Sequence, residues 1–155
     1  MRTPHHTSRA RRQGGFTIVE LLVVVAIIGL AAAIAAPRFF NLVSVLRSRG
    51  ASDQLAADLA WSRMTAVREG RTVSVRFASS TSYSITVDNG AAILRTLRSR
   101  NLATDYPGTT VTSSASRVAF DSRGLLRAGT ATVTVTRAAR TRTLRVSPVG
   151  RIYRE

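Results

Sequence analysis

The most apolar part of the chain is a run from Phe16 to Ala36 that carries a single charge, on Glu20. Since an α-helix rises about 1.5 Å per residue, this run spans roughly 30 Å, which is the thickness of a bilayer's hydrocarbon core. The polar residues 1–15 before the run hold four arginines, whereas three arginines follow it by residue 49. The positive-inside rule therefore predicts a single-pass helix with a cytoplasmic N-terminus and the rest of the chain outside.

Beyond Pro37 the apolar residues recur at intervals of three, four and seven, with polar residues between them. This spacing predicts an amphipathic helix that continues to about Gly70, with a kink where Pro37 removes a backbone hydrogen bond. The positions assigned to its apolar face are Leu42, Val45, Leu46, Leu55, Leu59 and Ala66, together with Ala56, Ala60 and Val67.

Past Gly70 the pattern changes to Val, Ile and Thr alternating with polar residues, which is typical of short antiparallel strands. The runs are 72–77, 83–87, 93–97, 118–120, 131–136 and 141–146. Turn sequences occur at 88–90, 106–108 and 122–124, and the Ser/Thr-rich stretch 109–116 is expected to be a loop. Together these elements predict an α+β fold in which a sheet of the β-rich head, residues 71–155, packs on the helix face of residues 55–67.

The composition removes most enzyme chemistry from consideration. The chain has no cysteine and no lysine, its histidines are His5 and His6 alone, and its eight acidic residues are scattered singly. It therefore lacks a thiolate nucleophile, a Schiff-base lysine and, in the body of the chain, an imidazole base or metal ligand. We expect no catalytic residue, no metal site and no cofactor.

Glu20 is the anomalous residue of the apolar run, because an unpaired carboxylate inside a membrane costs about 2.5 to 3.5 kcal/mol. A secretory signal peptide would have a shorter apolar core, and Pro37 directly after the Ala-Ile-Ala-Ala sequence disfavours cleavage there. A plain membrane anchor leaves the charge unexplained. Cleavage between Gly15 and Phe16 would create an α-amino group one helical turn from Glu20, or beside the Glu20 of a neighbouring subunit, and would neutralise it.

The residues around this junction carry a resemblance. Gly15-Phe16-Thr17-Ile18-Val19-Glu20-Leu21-Leu22 resembles the leader junction of type IV prepilins and type II secretion pseudopilins. The resemblance implies that a prepilin peptidase removes the basic leader, residues 1–15, and methylates Phe16, and that Glu20 helps to recruit the subunit into a filament. It further implies that residues 16–36 are the transmembrane and assembly helix and that residues 37–155 form a pilin-like periplasmic domain.

A second resemblance involves the helix end and the strands. The segments 60–70, 72–77, 118–124 and 146–152 are similar, in their order and spacing, to those of the GspH/FimT family of minor pseudopilins and minor pilins. The resemblance implies a pilin-like fold and a subunit of a type II secretion pseudopilus or a related type IV filament. The implied partners are the prepilin peptidase, other major and minor pilins or pseudopilins, and the bacterial inner membrane.

The formal net charge of +15 favours anionic partners, and the last 19 residues hold its densest part. Several guanidinium groups together can bind phosphates tightly, without sequence preference and with strong salt dependence. The same charges can also form a solvated face that discourages edge-to-edge strand pairing. The residues concerned are Arg137, Arg140, Arg142, Arg145, Arg151 and Arg154.

Two function classes therefore stay open: a structural filament subunit, which ranks first, and a minor pilin that binds double-stranded DNA during natural transformation. DNA-binding members of the family share a C-terminal Gly-Arg-x-Arg, whereas this chain reads Gly150-Arg151-Ile152-Tyr153-Arg154. In an extended strand Arg151 would lie on the same side as Tyr153, and Arg154 on the other. The extra residue therefore separates the two arginines.

Overall fold

The computed structural model describes residues 15–90 and 92–155, so most of the expected leader, with its four arginines and both histidines, lies outside the described residues. Helix α1 spans Ile18–Glu69, and the short helix α2 spans Leu102–Asp105. The strands within the described ranges are β1 (Thr72–Ser79), β2 (Ser82–Asn89), β3 (Ala92–Asn101), β4 (Thr109–Ser113), β5 (Arg117–Phe120), β6 (Ala131–Arg137), β7 (Arg140–Val146) and β8 (Ile152–Arg154). The chain divides into one compact unit that ends at Phe39 and another that spans Phe40–Glu155.

The first unit is the apolar part of α1, and its side chains are exposed. The hydroxyl of Thr17 caps the helix by accepting a hydrogen bond from the backbone N–H of Glu20 at 3.2 Å. The helix is long and apolar enough to cross a membrane. Because soluble proteins rarely expose so large an apolar surface, this part of α1 is suited to lipid or to the helices of other subunits.

Helix α1 ends where the sequence predicts. Gly70 has a φ of +63°, a left-handed conformation that glycine adopts without steric cost. The N–H of the next residue, Arg71, donates to the carbonyl of Ala66 at 3.2 Å, which closes the helix in a Schellman-type cap. The chain then turns directly into β1.

The strands form two antiparallel sheets rather than the one sheet that was expected. Sheet 1 has the order β3-β2-β1-β5, and sheet 2 has the order β4-β6-β7-β8. All six predicted strands are confirmed, but the expectation of a loop over residues 109–116 is wrong for residues 109–113 and holds only for residues 114–116. Residues Thr109–Ser113 form β4, because threonine is β-branched and suits a half-buried strand, with Thr109 and Val111 pointing inward. Helix α2 and strand β8 were also not predicted.

The core of the second unit lies between α1 and the inner faces of the two sheets. Leu55, Ala56, Leu59 and Ala66 are buried there, as predicted. Other positions assigned to the apolar face are instead exposed: Leu42, Leu46, Ala60 and Val67. The buried face of α1 includes small or polar residues, because small side chains allow strands to approach the helix closely: Ser48, Ala51, Ser52, Asp58, Ser62 and Thr65. The expected α+β fold with a long N-terminal helix is thereby confirmed.

A buried carboxylate joins α1 to sheet 1. Asp58 is 1% exposed and accepts a hydrogen bond from the Tyr83 hydroxyl at 2.8 Å. Its two oxygens also pair with Arg98 at 2.7 Å and Arg100 at 3.3 Å, and the Arg98 guanidinium lies 4.5 Å from the ring centroid of Trp61. Burial, reinforced by the adjacent carboxylate, raises the pKa of Tyr83, so the phenol stays protonated and remains a donor.

A second buried carboxylate, Asp88, lies within sheet 1. It accepts hydrogen bonds from Ser74 at 2.6 Å and Thr86 at 2.7 Å, and it pairs with Arg76 at 2.8 Å. The register places Ser74, Thr86 and Asp88 on the strand faces that alternate with the buried Val73, Val75, Ile85 and Val87. This cluster therefore stabilises the face of sheet 1 opposite the helix.

We predict that Asp58→Ala lowers the free energy of unfolding by about 3 kcal/mol, because it leaves the Tyr83 hydroxyl buried without an acceptor and two arginines without their anion. The matched control is Asp53→Ala on the same helix, where an exposed carboxylate pairs with Arg154 at 3.1 Å. That change should cost less than about 1 kcal/mol.

The measurement is denaturant unfolding of residues 40–155, which contain every buried side chain of the described residues. Equal losses in the two variants would contradict a special role of Asp58.

Candidate functional site

Gly15 and Phe16, the residues expected at the processing junction, lie ahead of α1 in the non-helical part of the chain. The Phe16 side chain is exposed, and among the described residues no atom lies within 4 Å of the position where a Gly15 side chain would begin. A peptidase requires an exposed substrate backbone outside a helix, and residues 15–17 are consistent with that requirement.

Glu20 lies in the first turn of α1, three residues after the cap residue Thr17. Its carboxylate makes no ion pair with any cation of the described residues. A negative charge at this end of a helix interacts favourably with the helix dipole, but an exposed carboxylate on an otherwise apolar helix still needs a cation where water is absent.

The six candidate arginines do not form one surface. Because Leu144 and Val146 point into the core, alternate residues of β7 place Arg140 and Arg142 toward the helix side and Arg145 on the outer face. Arg137 lies directly opposite Arg140 in the strand register of the β6–β7 hairpin. Thus Arg137, Arg140 and Arg142 lie together at the hairpin, away from Arg145.

Strand β8 divides the last two arginines in the way the sequence predicts. The Arg151 guanidinium lies 5.7 Å from the ring centroid of Tyr153. Tyr153 lies opposite Arg145 in the strand register, and both side chains are on the outer face of sheet 2. Arg154 lies opposite Leu144 in the strand register, on the other face of the sheet. Its Nη1 forms an ion pair with Oδ1 of Asp53 on α1 at 3.1 Å. Arg145 is itself paired with Glu155 at 3.3 Å. Two of the six cations therefore already have carboxylate partners.

The segments that carry the family resemblance meet at one place. The backbone N–H groups of Leu125 and Arg123 each donate a hydrogen bond to Oδ1 of Asp121 at 2.9 Å. These bonds, the one from Leu125 above all, hold the pKa of the Asp121 carboxyl below its usual value. The turn they stabilise presents the carbonyl of Gly124, which accepts a hydrogen bond from Nε of Arg63 on α1 at 3.0 Å. The N–H of Leu126 donates to Pro148 at 2.9 Å, which fixes the chain ahead of Gly150.

An apolar groove of about 680 Å³ lies beside this junction, and its walls include Trp61, Met64, Val67 and Ile152. Met64 is 71% exposed and Val67 is 52% exposed. Exposed apolar side chains grouped in this way are typical of a surface that contacts another protein. Within the described residues no group of three or more His, Cys, Asp or Glu is arranged to hold a metal ion.

A comparison with protein families decides what this arrangement is. The family model described as Type II transport protein GspH matches residues 51–150. The chain belongs to this family. The matched region begins at Ala51, on the buried face of α1, and ends at Gly150, so it contains both sheets except β8. A separate model, the prokaryotic N-terminal methylation motif, matches residues 10–36.

The individual proteins that this chain resembles are type IV pilins. A type IV major alpha-pilin of Moraxella bovis is 41% identical over 70 residues, which are 45% of this chain and 43% of that protein. The aligned region therefore spans less than half the length of that relative. Two crystal forms of the type IV minor pilin FimU from Pseudomonas aeruginosa PAO1 have the same fold, with TM-scores of 0.59 and 0.60 and 23% identity. They match 69% of this chain and 91% and 87% of the FimU chains.

The GspH-family match also bears on the arginines. Arg137, Arg140, Arg142 and Arg145 fall within the matched region, whereas Arg151 and Arg154 lie beyond it. The C-terminal pair is therefore a feature of this chain that the family match does not explain.

Gly150 lies where the family-resembling segments 60–70, 118–124 and 146–152 meet, and its close contacts lead to a prediction. Its φ is +73°, and a Cβ there would collide with the Gly124 carbonyl and would meet Nε of Arg63 at 2.6 Å. We predict that Gly150→Ala lowers the free energy of unfolding by about 1 to 3 kcal/mol more than Gly129→Ala does.

Gly129 is the matched control, because it has a φ of +76° but nothing within 4 Å of its Cβ position. Denaturant unfolding of both variants separates the clash from the backbone cost. If the two losses are equal, the close approach of Gly150 to Gly124 does not stabilise the head.

Proposed function

We propose that this member of the GspH family is an H-type minor pseudopilin, processed to begin at Phe16 and incorporated into a type II secretion pseudopilus or a related type IV filament. The observation that carries the proposal is the exposed apolar part of α1, whose Glu20 has no ion-pair partner among the described residues, followed in the same chain by a GspH-family head. A helix of this kind needs lipid first and other helices afterwards.

The chemistry of the junction explains the steps. Cleavage after Gly15 by a prepilin peptidase produces a positively charged α-amino group on Phe16, and methylation leaves that charge in place. The Glu20 carboxylate of one subunit then pairs with the amino group of another. Because both charges are costly in hydrocarbon when alone, their pairing favours insertion of the subunit into the filament.

The proposed function also implies where the chain is located in the cell. Before assembly the chain crosses the inner membrane once through residues 16–36, with its N-terminus in the cytoplasm and residues 37–155 in the periplasm. The other pilins or pseudopilins of the filament then replace lipid around α1. The head contributes packing surface and no catalysis.

We predict that Glu20→Ala leaves membrane insertion intact but lowers recovery with the other filament subunits on the order of tenfold, the equivalent of about 1.4 kcal/mol. The neutral isostere Glu20→Gln should behave in the same way, because the charge rather than the shape pairs with the amino group. The measurement is co-purification from cells that carry the whole filament system.

Val24→Ala, one helical turn further on and also exposed, is the control for loss of apolar surface. Wild-type recovery of both Glu20 variants would show that Glu20 has no intersubunit role.

A second candidate function is DNA binding, and one observation favours it. Arg151 lies over Tyr153 on the outer face of β8, beside Arg145, and all three side chains are exposed. An exposed aromatic ring flanked by guanidinium groups can stack on a base while the cations contact phosphates. In this function the outer face of β7 and β8 would bind DNA taken up during natural transformation.

For duplex DNA we predict weak, sequence-independent binding to residues 40–155 that decreases steeply with salt. Each phosphate contact contributes about 0.9 to the log–log slope, so Arg145→Gln with Arg151→Gln should lower the slope by about 1.8. The control pair is Arg71→Gln with Arg127→Gln, which removes the same charge from two exposed residues outside β7 and β8.

An equal loss of DNA affinity in the two double variants would show that only the net charge of the protein matters, and that Arg145 and Arg151 form no specific site. Absence of binding at low salt would exclude this second function altogether.

A further inference from the structure

A cleft of about 380 Å³ lies between α1 and the β6–β7 hairpin. Val45 and Ser48 line it from the helix, and Arg140 and Arg142 line it from β7. We name it the hairpin cleft. It differs from the outer face described above, because these arginines point to the helix side of sheet 2.

The cations at the hairpin cleft lack carboxylate partners. Within the described residues neither Arg140 nor Arg142 forms an ion pair, and the carboxylate at the cleft, Glu155, bonds to Arg145 instead. Arg140 also lies directly opposite Arg137 in the sheet register. Like charges in directly opposed positions destabilise a hairpin unless an anion lies between or beside them.

Unsatisfied polar atoms collect at the same end of the head. The buried side-chain atoms without a hydrogen-bond partner, among the residues that the structure describes, are Oγ of Ser48, Oγ1 of Thr109, and Nε and Nη1 of Arg137. Of these, Ser48 lines the cleft, whereas Arg137 and Thr109 follow in the neighbouring strands of sheet 2 and do not line it. A buried hydroxyl without a partner costs free energy, so Ser48 beside the two arginines of the cleft indicates a site for a ligand.

The chemistry of these groups selects an anion with several oxygens. Guanidinium N–H groups donate and cannot accept, and the hydroxyl of Ser48 can donate as well. A phosphate group satisfies such a set through charge-assisted hydrogen bonds. The small, concave cleft suits one phosphate-bearing headgroup better than the continuous backbone of a duplex.

The helix next to the cleft indicates where that phosphate comes from. Leu42, Val45 and Leu46 follow one another at helical spacing, and Leu42 and Leu46 are 54% and 56% exposed. Apolar side chains beside unpaired arginines are typical of a surface that lies at a membrane interface. Val45 is nine residues beyond Ala36, the last residue of the apolar run.

We propose that the hairpin cleft binds the headgroup of an anionic phospholipid of the phosphatidylglycerol type while the chain is anchored in the membrane. This inference rests on the membrane anchoring in the proposed function, and it adds a specific lipid contact to it. The arginines at the cleft bind the phosphate, and Leu42 and Leu46 contact the acyl boundary. Incorporation into a filament then exchanges this lipid for neighbouring subunits.

The test uses the mature chain, from Phe16 to Glu155, in nanodiscs of phosphatidylcholine with or without phosphatidylglycerol. Hydrogen–deuterium exchange of the hairpin peptide, residues 137–142, reports the docked fraction. Exchange should be slower in the discs with phosphatidylglycerol. Arg140→Gln with Arg142→Gln should lower the docked-to-undocked ratio about thirtyfold, which corresponds to about 1 kcal/mol per arginine at an anionic surface.

Two controls separate the site from bulk charge. Arg68→Gln with Arg71→Gln removes the same charge about 30 Å further along α1, beyond the screening length, and should leave the protection unchanged. Ser48→Ala should weaken the protection while it raises the stability of the lipid-free head, because it deletes a buried hydroxyl without a partner.

Each contrary outcome overturns the proposal in a distinguishable way. Equal exchange in the two kinds of disc, or equal losses in the two arginine pairs, excludes a headgroup site. Loss of protection on adding inorganic phosphate at constant ionic strength assigns the cleft to free phosphate, and loss on adding a DNA duplex assigns it to nucleic acid. Failure of the chain to co-elute with either disc refutes the membrane anchoring itself.

Discussion

The head depends on the contact between the Asp58 carboxylate of α1 and the Tyr83 hydroxyl of sheet 1. This bond is directional and buried, and the arginines on β3 enclose it. A rotation of the helix by one residue would remove the carboxylate from the phenol and bury its charge without a partner. The pair therefore fixes the rotation of α1, and with it which residues of the helix face sheet 2, the groove and the hairpin cleft.

That rotation distributes the chemistry along the second half of α1. Near its start, Ser48 and Val45 face the unpaired arginines of the hairpin. Near its end, Arg63 binds the Gly124 carbonyl, and Met64 and Val67 stay exposed in the apolar groove. The second half of α1 thus borders a charged cleft near its start and an apolar groove near its end, and the residues that line the two do not overlap. A subunit that exchanges lipid for protein neighbours has use for both.

The sequence predicts well those features that depend on local patterns. The apolar run, the helix end at Gly70 and the six strands follow from periodicity and turn chemistry, and so does the opposite placement of Arg151 and Arg154. Asp58 lies between the apolar positions Leu55 and Leu59, but the apolar pattern by itself does not indicate that the carboxylate is buried. The Ser/Thr-rich composition of residues 109–116 indicates a loop, whereas the β-branch of threonine favours the strand β4. The pairs Arg154–Asp53 and Arg145–Glu155 depend on tertiary packing, and no spacing in the sequence indicates them.

In the function proposed above, this GspH-family chain is a processed filament subunit whose Glu20 pairs with the amino group of Phe16. The decisive measurement is mass analysis of the N-terminus of the protein extracted from membranes of cells that contain a prepilin peptidase. We expect a chain that lacks residues 1–15, begins at Phe16 and carries one added methyl group. An intact Met1, or a chain that begins at Pro37, would contradict it.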